Sequence, residues 1–363
     1  MRVGIVGAGQ LGRMLALAGF PLGIECRLLD PDPASPGGQV APLRVAALDD
    51  RAALAALARE VDVLTFEIEN VSVAALDGLA GKAAIYPPPR IVAAAQDRLA
   101  EKQLFESLGI PTAPYAVVET PADLAAAGAR VGWPVVLKAR RLGYDGRGQR
   151  VAADEGELAA AWEALGCVPA IAEGLVAFER ELSLIAVRGA AQAHTYYPLT
   201  ENEHRDGILV SSLAPYDDAR LQRTAEGWLA DLMSAFDYRG VLTVEFFLTS
   251  SGLLANEMAP RVHNSGHWTI EGAETSQFEN HLRAILGWPL GDVSVRGHAG
   301  MLNLLGRLPD TVEVLEVPGA HLHDYGKEPR PARKLGHCTL LDSNRAALLS
   351  RMQRLRAIVE RGE

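Results

Sequence analysis

The chain has 363 residues, and its 45 acidic and 35 basic side chains give a formal net charge of −10 at pH 7. This acidic balance argues against a general affinity for nucleic acid or for an anionic membrane surface. Apolar residues make up 48% of the chain and charged residues 22%. Such a composition is typical of a globular protein. The length predicts two or three domains.

The sequence favours a cytoplasmic protein without structural metal or disulfide bonds. No apolar run is long enough to span a bilayer, and no basic stretch with a cleavable apolar segment precedes the first predicted strand. Cys26, Cys167 and Cys338 are far apart and form no CxxC motif. They therefore predict neither a disulfide framework nor a zinc site.

The N-terminal segment carries a G-x-G-x-x-G motif in a strand–turn–helix context. Residues 3–6 form a short apolar run, which is followed by the motif at residues 7–12 and by an alanine- and leucine-rich helix. The backbone amides of such a turn can hold a phosphate. A second predicted strand, residues 25–29, ends at Asp30, where a dinucleotide-binding fold places its ribose-binding acid. A nicotinamide-dependent dehydrogenase is therefore a live alternative at this point.

A helix at residues 51–59 and a strand at residues 61–66 continue the βαβ alternation. This strand brings Glu67 and Glu69 to its carboxyl end, where ligand groups usually lie in such sheets. A solvated acidic loop explains either glutamate alone equally well. The three prolines at residues 87–89 predict the first domain boundary.

A basic, glycine-rich loop follows the buried-type strand that ends at Lys138. Residues 140–149 contain three arginines and three glycines, a composition suited to covering phosphates. The loop does not match the P-loop pattern, and a plain hairpin turn would explain the glycines but not Lys138 and the arginines. The next short strand, residues 170–173, ends at Glu173. Residues 173–176, where the chain leaves the sheet, could present a hinge edge to an adenine and its ribose. Before the loop, a helix at residues 97–108 shows an apolar stripe of Ala100, Leu104 and Leu108.

Residues 241–248 and 253–258 predict a β-hairpin in which two acids face each other. If residues 250–252 form a three-residue loop with Gly252 at positive φ, Glu245 lies directly opposite Glu257. Two like charges at such a pair repel unless a cation lies between them. With the Asn256 amide they offer hard oxygen ligands, which suit magnesium carrying nucleotide phosphates. An exposed hairpin edge with solubilising acids is the alternative.

Two polar segments follow the hairpin. Residues 260–268 place Arg261, His263, Asn264 and a second histidine in one turn, a concentration that a surface loop rarely shows without a ligand. Residues 327–337 hold four basic side chains and a histidine, which could supply a local anion pocket or could be a solvated basic loop. Residues 287–289 predict the second domain boundary.

With these residues assembled, the chain resembles the ATP-grasp superfamily and, within it, the N5-carboxyaminoimidazole ribonucleotide synthetase family of purine biosynthesis. The most specific segments are GAGQLGRML at residues 7–15, GYDGRGQ at 143–149, YPLTENEHRDGI at 197–208 and NEMAPRVHNSGHWT at 256–269. The resemblance implies an α/β protein in which an ATP-grasp fold follows a Rossmann-like βαβ domain and precedes a small C-terminal α+β domain. The implied bounds are residues 1–90, 91–290 with a lid subdomain near 115–175, and 291–363.

The resemblance implies a carbon–nitrogen ligase that uses ATP, bicarbonate and 5-aminoimidazole ribonucleotide. The products would be N5-carboxyaminoimidazole ribonucleotide, ADP and phosphate, formed through carboxyphosphate. Magnesium, as two ions, would be held by Glu245 and Glu257, and a homodimer is expected from family likeness. The reacting groups would be contacted by Arg261, His263, Asn264 and Lys138.

The implied binding residues form two sets. The ATP site would comprise Arg98, Lys138, Glu173, Gly174, Leu175, Val176, Glu181, His204, Asn256 and Glu257, with a lid of Gly143, Tyr144, Asp145, Gly146, Arg147, Gly148 and Gln149. The ribonucleotide site would comprise Gln10, Leu11, Glu69, Tyr144, Asp145, Arg147, Lys327 and Arg333. Glu69 is favoured over Glu67 as the acid that faces the substrate. Many superfamily members have a lysine where Arg98 stands, which leaves open how the α-phosphate is held.

The paired acids also bear on the alternatives. Hydride transfer needs no acid pair on a hairpin, so the dehydrogenase interpretation loses weight. A noncatalytic nucleotide sensor is disfavoured because metal ligands at the γ-phosphate favour turnover. A sister ATP-grasp ligase stays the main competitor, either a formate-dependent glycinamide ribonucleotide transformylase or a biotin carboxylase-like enzyme.

Overall fold

The described part of the computed structural model, residues 1–79, 81–143 and 148–361, contains three β-sheets that follow one another along the chain. The first sheet is parallel, with strand order β3-β2-β1-β4-β5. Its strands are β1 (Arg2–Val6), β2 (Glu25–Asp30), β3 (Leu43–Val45), β4 (Val63–Phe66) and β5 (Ala84–Ile85). The helices of this part are α1 (Gln10–Gly19), α2 (Arg51–Glu60), α3 (Val73–Asp77) and α4 (Pro89–Ala95). The predicted βαβ alternation is therefore present, because buried apolar strands alternate with helices that cover the sheet.

The second sheet is small and antiparallel, with strand order β6-β9-β7-β8. Its strands are β6 (Tyr115–Val118), β7 (Val135–Ala139), β8 (Gln149–Ala152) and β9 (Ala170–Gly174). Helix α5 (Arg98–Ser107) precedes it, and α6 (Pro121–Val131) and α7 (Glu155–Ala164) cover one face. Val118, Leu137 and Trp162 lie in a core separate from those of the other sheets. The sheet and its two helices thus form a distinct lobe of the molecule.

The third sheet has nine described strands and extends almost to the end of the chain. The strand order from one edge is β15-β14-β10-β12-β13-β16-β18-β17. The ninth strand, β11, is outside this order and pairs with β10. The strands are β10 (Arg180–Arg188), β11 (His194–Tyr196), β12 (Thr200–Arg205), β13 (Ile208–Ala214), β14 (Gly240–Thr249), β15 (Gly252–Ala259), β16 (His298–Leu305), β17 (Ala320–Asp324) and β18 (Lys334–Asp342). The helices are α8 (Ala219–Ala235), α9 (Thr269–Gly272), α10 (Gln277–Ile285), α11 (Thr311–Leu315) and α12 (Arg345–Glu360). The C-terminal strands β16 to β18 therefore continue the central sheet instead of forming a sheet of their own.

The first and third sheets pack together through one apolar core. Leu15 of α1, Phe278 and Leu282 of α10 and Met301 of β16 all belong to it and are buried. At the same contact the His281 imidazole is 2.8 Å from the Thr65 hydroxyl and accepts a hydrogen bond from the Val241 amide. This packing brings the carboxyl ends of β1 and β4 toward the β14–β15 hairpin. None of the described helices is both long and apolar enough to cross a membrane.

The hairpin differs from its prediction in one respect that matters for the site. Its loop has two residues, because Thr249 pairs with Gly252, and the predicted three-residue loop is wrong. Gly252 does have the predicted positive φ, at +123°. Between the pairs Phe246–Ala255 and Glu245–Glu257, the register shifts by one residue at Asn256. This β-bulge compensates for the shorter loop, so the predicted pairing of Glu245 with Glu257 is confirmed for a different reason.

Candidate active site

Two cavities meet beneath the hairpin, and the same six side chains line both of them. The first, of about 360 Å³, lies between the second and third sheets. The second, of about 750 Å³, lies between the carboxyl edge of the first sheet, the third sheet and the segment before β18. The shared side chains are Arg98, Glu245, Glu257, His263, Asn264 and Lys334. A group held in either cavity is therefore close to a group held in the other.

The acid pair at this junction is electrostatically asymmetric. Burial raises the pKa of Glu245 to about 7; the charge of Glu257 also raises it, and that of His204 opposes the shift. Burial also acts to raise the pKa of Glu257, but the cations of Arg98 and Lys138 outweigh it and hold that pKa below its ordinary value. The Arg98 guanidinium donates to Glu257 at 3.0 Å. Glu257 therefore has a cationic partner from the protein, whereas Glu245 is the less compensated of the two.

Lys138 is directed toward the first cavity by a buried ion pair. Its ammonium is 2.9 Å from the Glu173 carboxylate and 3.5 Å from the side-chain oxygen of Asn256. A second lysine, Lys102, lies 3.5 Å from the other Glu173 oxygen and is almost completely buried. Burial acts to raise the pKa of Glu173, but these two ammonium groups outweigh it and lower the pKa. The carboxylate thus stays ionised and fixes the lysine where a phosphate could meet it.

His204 adds an ionisable group next to the acids. Its Nδ1 lies 3.0 Å from the Glu181 carboxylate, across neighbouring strands β12 and β10. Burial acts to lower the pKa of His204, but the hydrogen bond to Glu181 and the charge of Glu245 outweigh it, so the pKa is raised. An imidazolium at this position is therefore stabilised by the carboxylates that surround it.

The far end of the first cavity is apolar. The rings of Phe178 and Phe247 stack there with their centroids 4.8 Å apart, and Val136 and Val151 line the same region. The segment at residues 173–176 forms one wall as it leaves β9, anchored by amide hydrogen bonds of Gly174 and Leu175 to neighbouring carbonyls. An apolar slot at one end and cations at the other suit a flat base followed by a phosphate chain.

The polar turn after β15 lines the second cavity, and its side chains are held in defined positions. Arg261 donates to the Glu69 carboxylate at 2.5 Å. His263 Nδ1 is 2.9 Å from the Ser265 hydroxyl, and its Nε2 is 3.5 Å from Glu245. Burial and the charge of Arg261 keep the pKa of His263 well below its ordinary value. The contact with Glu245 is therefore made by a neutral imidazole.

Asn264 and Asn303 exchange two side-chain amide hydrogen bonds, of 3.0 and 2.8 Å. This reciprocal pair joins the turn to β16 of the C-terminal part of the sheet. Gln277 at the start of α10 both accepts from the backbone amide of His263 and donates to its carbonyl. The backbone that carries His263 and Asn264 is thus fixed by two elements, which keeps the turn rigid without a ligand.

The glycine turn at residues 7–12 has an occupant from the chain itself. The Glu67 carboxylate accepts hydrogen bonds from the amides of Gly9 at 2.5 Å and Gly12 at 2.7 Å. The Ala8 amide donates to Asp30, the acid predicted for a ribose, at 2.8 Å. A Cβ at Gly9 would lie 2.7 Å from the Glu67 carboxylate, so glycine permits this close approach. The prediction that these amides hold a phosphate is therefore wrong for Gly9 and Gly12, and this turn offers no dinucleotide site.

The chain matches known protein families along most of its length. Three family models match successive parts: a ribonucleotide synthetase preATP-grasp domain at residues 1–96, an ATP-grasp domain at 103–278 and a phosphoribosylaminoimidazole carboxylase C-terminal domain at 299–351. The N5-carboxyaminoimidazole ribonucleotide synthase of Pseudomonas aeruginosa is 47% identical, over 99% of this chain and 100% of its own length. That of Brucella melitensis is also 47% identical, over 93% of this chain and 95% of its own.

Solved structures agree. The N5-carboxyaminoimidazole ribonucleotide synthetase from Thermus thermophilus has a TM-score of 0.95 and 51% identity, covering 99% of this chain and 98% of that chain. The enzyme from Aspergillus clavatus, in complex with ADP and 5-aminoimidazole ribonucleotide, has a TM-score of 0.92 and 34% identity, covering 99% and 98%. The chain belongs to the N5-carboxyaminoimidazole ribonucleotide synthase family. The predicted fold class and the prediction of an ATP-grasp ligase are both confirmed.

For this member of the N5-carboxyaminoimidazole ribonucleotide synthase family, most of the predicted site residues line one of the two cavities. The first is lined by Arg98, Lys138, Gln149, Glu173, Gly174, Leu175, Val176, Glu181, His204, Asn256 and Glu257. The second is lined by Gln10, Leu11, Glu69, Gly143, Arg261, Lys327 and Arg333. Glu245, His263 and Asn264 line both, as do Arg98 and Glu257. Gly143, predicted for the ATP lid, thus lies against the second cavity instead.

The remaining predicted residues of this family member fall elsewhere. Tyr144, Asp145, Gly146 and Arg147 lie outside the described residues. Gly148 has a φ of +77°, and its carbonyl accepts from the Ala139 amide at 2.8 Å, which closes the base of the loop. Glu67 lines the second cavity as well as Glu69, but its carboxylate is committed to the glycine turn.

Several residues of the site were not found from the sequence. Asn303 holds Asn264, and Glu101 and Lys102 are buried beside the acid pair. Lys334, which the basic run at residues 327–337 included without singling it out, lines both cavities. The apolar stripe predicted for α5 is only half-buried, although its Leu104 and Leu108 pack against the core that contains Phe105. The most buried residues of the helix are Glu101, Lys102 and Phe105. The spacing of Arg98, Glu101 and Lys102 at i, i+3 and i+4 was the available signal, since it puts three charges on one helix face.

The asymmetry of the acid pair predicts opposite effects of two matched substitutions, measured without nucleotide or metal. The folded-state pKa of Glu245 is raised above its ordinary value to about 7, so the wild type should lose stability as the pH rises from about 4.5 through about 7. Glu245→Gln should remove the part of that loss that Glu245 contributes, while Glu101, whose pKa burial raises to about 8, still contributes its own part. The variant should be more stable than wild type at pH 8. Glu257→Gln should be less stable than wild type at neutral pH, because the lowered pKa of Glu257 reflects a stabilising partnership with Arg98.

Urea denaturation of the three proteins at pH 5 and pH 8 provides the measurement. A parallel pH dependence in wild type and Glu245→Gln, or the same sign of change for both variants at pH 8, would contradict the electrostatic asymmetry.

The internal hydrogen bonds of Glu67 predict a structural cost of removing it. Glu67→Ala leaves the amides of Gly9 and Gly12 without their acceptor, which should lower the free energy of unfolding by about 2–5 kcal/mol for one buried and one partly buried donor. Asn70→Ala, an exposed neighbour on the same loop, is the control and should be nearly neutral. Equal midpoints of denaturation for the two variants would show that Glu67 does not anchor the turn.

Proposed function

We propose that this protein carboxylates 5-aminoimidazole ribonucleotide with bicarbonate, in a reaction driven by ATP. The products are N5-carboxyaminoimidazole ribonucleotide, ADP and phosphate, and the reaction belongs to purine biosynthesis. The observation that carries this proposal is the meeting of two cavities at one acid pair. A carboxyl group activated on a nucleotide phosphate must be passed to a second substrate before water reaches it, and adjoining cavities allow that.

In this proposal ATP occupies the first cavity. The stacked rings of Phe178 and Phe247 and the segment at residues 173–176 favour the adenine end. The ammonium of Lys138 and the guanidinium of Arg98 would bind the phosphates. Arg98 contacts Glu257 at 3.0 Å, and the charge of Lys138 lowers the pKa of the same carboxylate. The ADP-bound relative supports this assignment through its name and its likeness over nearly the whole chain.

Magnesium fits the residues at the junction. Glu245 and Glu257 are opposed carboxylates, and repulsion between them contributes to the raised pKa of Glu245, so a bound cation would relieve it. Among the described residues no group of three or more histidine, cysteine or acidic side chains could hold a metal alone. Nucleotide phosphates must then complete the ligand set, as is usual for Mg²⁺. When bound, two magnesium ions would neutralise charge on the transferring phosphoryl group.

The chemistry proposed for the chain's own residues has two steps. Bicarbonate oxygen attacks the γ-phosphorus of ATP, the bond to ADP breaks, and carboxyphosphate forms. The amine of the ribonucleotide then attacks the carboxyl carbon, phosphate leaves with the electron pair of the broken C–O bond, and the amine loses a proton. Such a phosphoryl transfer needs positioning and charge neutralisation more than covalent help, which Lys138 and Arg261 would supply. The imidazole of His263, which burial and Arg261 keep neutral, would contact the reacting groups through hydrogen bonds.

The ribonucleotide is placed in the second cavity. Lys327 donates to the Gln10 side chain at 2.5 Å, which joins the C-terminal segment to the first residue of α1. Arg333 lies on the same wall, and its guanidinium donates to the Glu328 carbonyl at 3.0 Å. We assign both cations to the substrate phosphate, with Glu69 and the backbone of Leu11 nearby. Tyr144, Asp145 and Arg147 are proposed for the imidazole end.

The wider organisation follows family likeness. We keep the domain bounds of 1–90, 91–290 with a lid near 115–175, and 291–363. We also propose a homodimer in the cytoplasm, which sedimentation equilibrium and cell fractionation would test.

The proposed function predicts a specific pair of substrates. ADP release should require 5-aminoimidazole ribonucleotide and should rise with added bicarbonate in a solution purged of carbon dioxide. Formate with glycinamide ribonucleotide should give negligible turnover, because a planar amino-heterocycle and a flexible glycinamide chain need different contacts. A coupled ADP assay with the four substrate combinations makes the comparison. Faster turnover with formate and glycinamide ribonucleotide would transfer the assignment to the sister ligase.

The phosphate assignment predicts a selective kinetic defect. Lys327→Ala and Arg333→Ala should each raise the KM for 5-aminoimidazole ribonucleotide about tenfold or more, because a hydrogen bond to a charged group contributes about 1.5–3 kcal/mol. The KM for ATP should change little. Lys82→Ala, which removes an exposed lysine outside both cavities, is the matched control. An equal rise in both KM values would place these cations outside the ribonucleotide site.

A further inference from the structure

Strand β15 lies at an edge of the third sheet, and a single chain segment covers the free side of its bulge. Four successive residues of β15 are each held by residues 98–111. The Ala255 amide donates to the Pro111 carbonyl at 2.7 Å, and the Asn256 carbonyl accepts from Lys102 at 3.1 Å. The Glu257 carboxylate accepts from Arg98 at 3.0 Å, and the Met258 amide donates to Glu101 at 2.7 Å.

These contacts replace a missing neighbouring strand. An edge strand leaves a row of backbone donors and acceptors that another chain could bond. Here the row is satisfied by one carbonyl and by two ionisable side chains of α5, while the Arg98 guanidinium of the same helix binds the Glu257 side chain. Helix α5 therefore contacts each of residues 256–258: the backbone of the first and third, and the side chain of the second.

The bulge determines which residue faces Glu245. On the loop side of the bulge, Phe246 pairs with Ala255. If this register continued without a bulge, Asn256 would lie opposite Glu245. Glu257 would then point to the other face of the sheet, because successive side chains alternate. The insertion of Asn256 returns Glu257 to the cavity side. A device that holds the bulge therefore holds the acid pair together.

The burial of the two side chains argues that this device has a function. Glu101 is 2% exposed and Lys102 is 1% exposed. Charged residues are almost never so buried unless paired, because removal from water is costly. An apolar pair on α5 would pack against an edge strand more cheaply, but it would leave the Asn256 carbonyl and the Met258 amide without partners.

We propose that Glu101 and Lys102 are positioning residues for the metal–nucleotide site, which they serve by holding the Asn256 bulge and so keeping Glu257 opposite Glu245. This inference rests on the proposed function for the identity of what the acid pair binds. Neither side chain needs to touch metal or nucleotide. The effect of Glu101 passes through the backbone of β15. Lys102 acts on the same backbone through the Asn256 carbonyl and also lies 3.5 Å from the Glu173 carboxylate.

The test compares metal-dependent with metal-free nucleotide binding. Glu101→Met removes the acceptor and keeps most of the side-chain volume, whereas Glu101→Gln retains an oxygen that can accept from the Met258 amide. Lys102→Met removes the hold on the Asn256 carbonyl. Gln103→Ala, an exposed position on the same helix, is the matched control. The probes are Mn²⁺ with ADP, followed by electron paramagnetic resonance, and ADP alone, followed by calorimetry.

Glu101→Met and Lys102→Met should each weaken Mn²⁺ binding in the presence of ADP by about 10- to 100-fold, the usual effect of losing a group that orients a metal ligand. Glu101→Gln and Gln103→Ala should bind Mn²⁺ with ADP like wild type, and ADP alone should bind equally to wild type and to the Glu101 and Gln103 variants. Lys102→Met also loses the contact with Glu173, so its loss of Mn²⁺ binding with ADP should exceed its loss of binding to ADP alone. Hydrogen exchange at the Met258 amide should accelerate in Glu101→Met and stay slow in Glu101→Gln.

Three results would overturn the proposal. An equal loss of metal-free ADP binding would show a general role in the nucleotide pocket. Damage in Glu101→Gln as large as in Glu101→Met would show that the charge matters and the hydrogen bond does not. Unchanged Mn²⁺ binding in Lys102→Met, which also carries the test if Glu101→Met does not fold, would show that the bulge needs no clamp. None of these measurements uses the ribonucleotide, so failure of the proposed function would appear only in the ADP release assay.

Discussion

The organisation of the site follows from two partly buried carboxylates that face each other across a hairpin. Glu245 and Glu257 repel, and the fold compensates for them with charges drawn from separate elements. Arg98 comes from α5, Lys138 from β7 and His204 from β12. Because these elements belong to different parts of the fold, the electrostatics of one pair depend on the packing of the whole nucleotide-binding region. The incomplete compensation of Glu245 leaves room for a cation that arrives with the nucleotide.

The glycine turn shows the opposite use of the same physics. A helix N-terminus with close-approaching glycines attracts an anion, and in dinucleotide-binding proteins that anion is a phosphate. Here the anion is the Glu67 carboxylate, which directly follows β4 of the same sheet. The turn becomes an internal anchor that ties α1 to β4. Gln10 and Glu69, one residue beyond Gly9 and two beyond Glu67, are then presented to the second cavity from a rigid edge.

Sequence reasoning reached the strands, the hairpin and the polar turn because each is a local pattern of period, turn residues or composition. It reached the opposed acids through two errors that cancelled: the loop is one residue shorter than predicted, and a bulge restores the lost residue. A bulge stabilised by side chains of a distant helix leaves no local pattern. The two buried charges of α5 were missed for a related reason, because Glu101 and Lys102 bind a polar strand edge, and only Phe105 beside them packs in an apolar core. Likewise, no periodicity of the sequence predicts that β16 pairs with β13.

That pairing of β13 with β16 has a consequence for the proposed chemistry. Carboxyphosphate decomposes in water, so the place where it forms and the place where it is used must share one enclosed wall. Because β16 and β18 continue the sheet that carries the acid pair, Asn303 reaches Asn264 and Lys334 reaches the junction of the two cavities. A C-terminal domain attached by a linker could drift from the nucleotide by several ångströms. A domain whose strands extend the same sheet cannot do so without breaking backbone hydrogen bonds. The wall of the second cavity, proposed for the ribonucleotide, is thereby fixed relative to the first cavity, proposed for ATP.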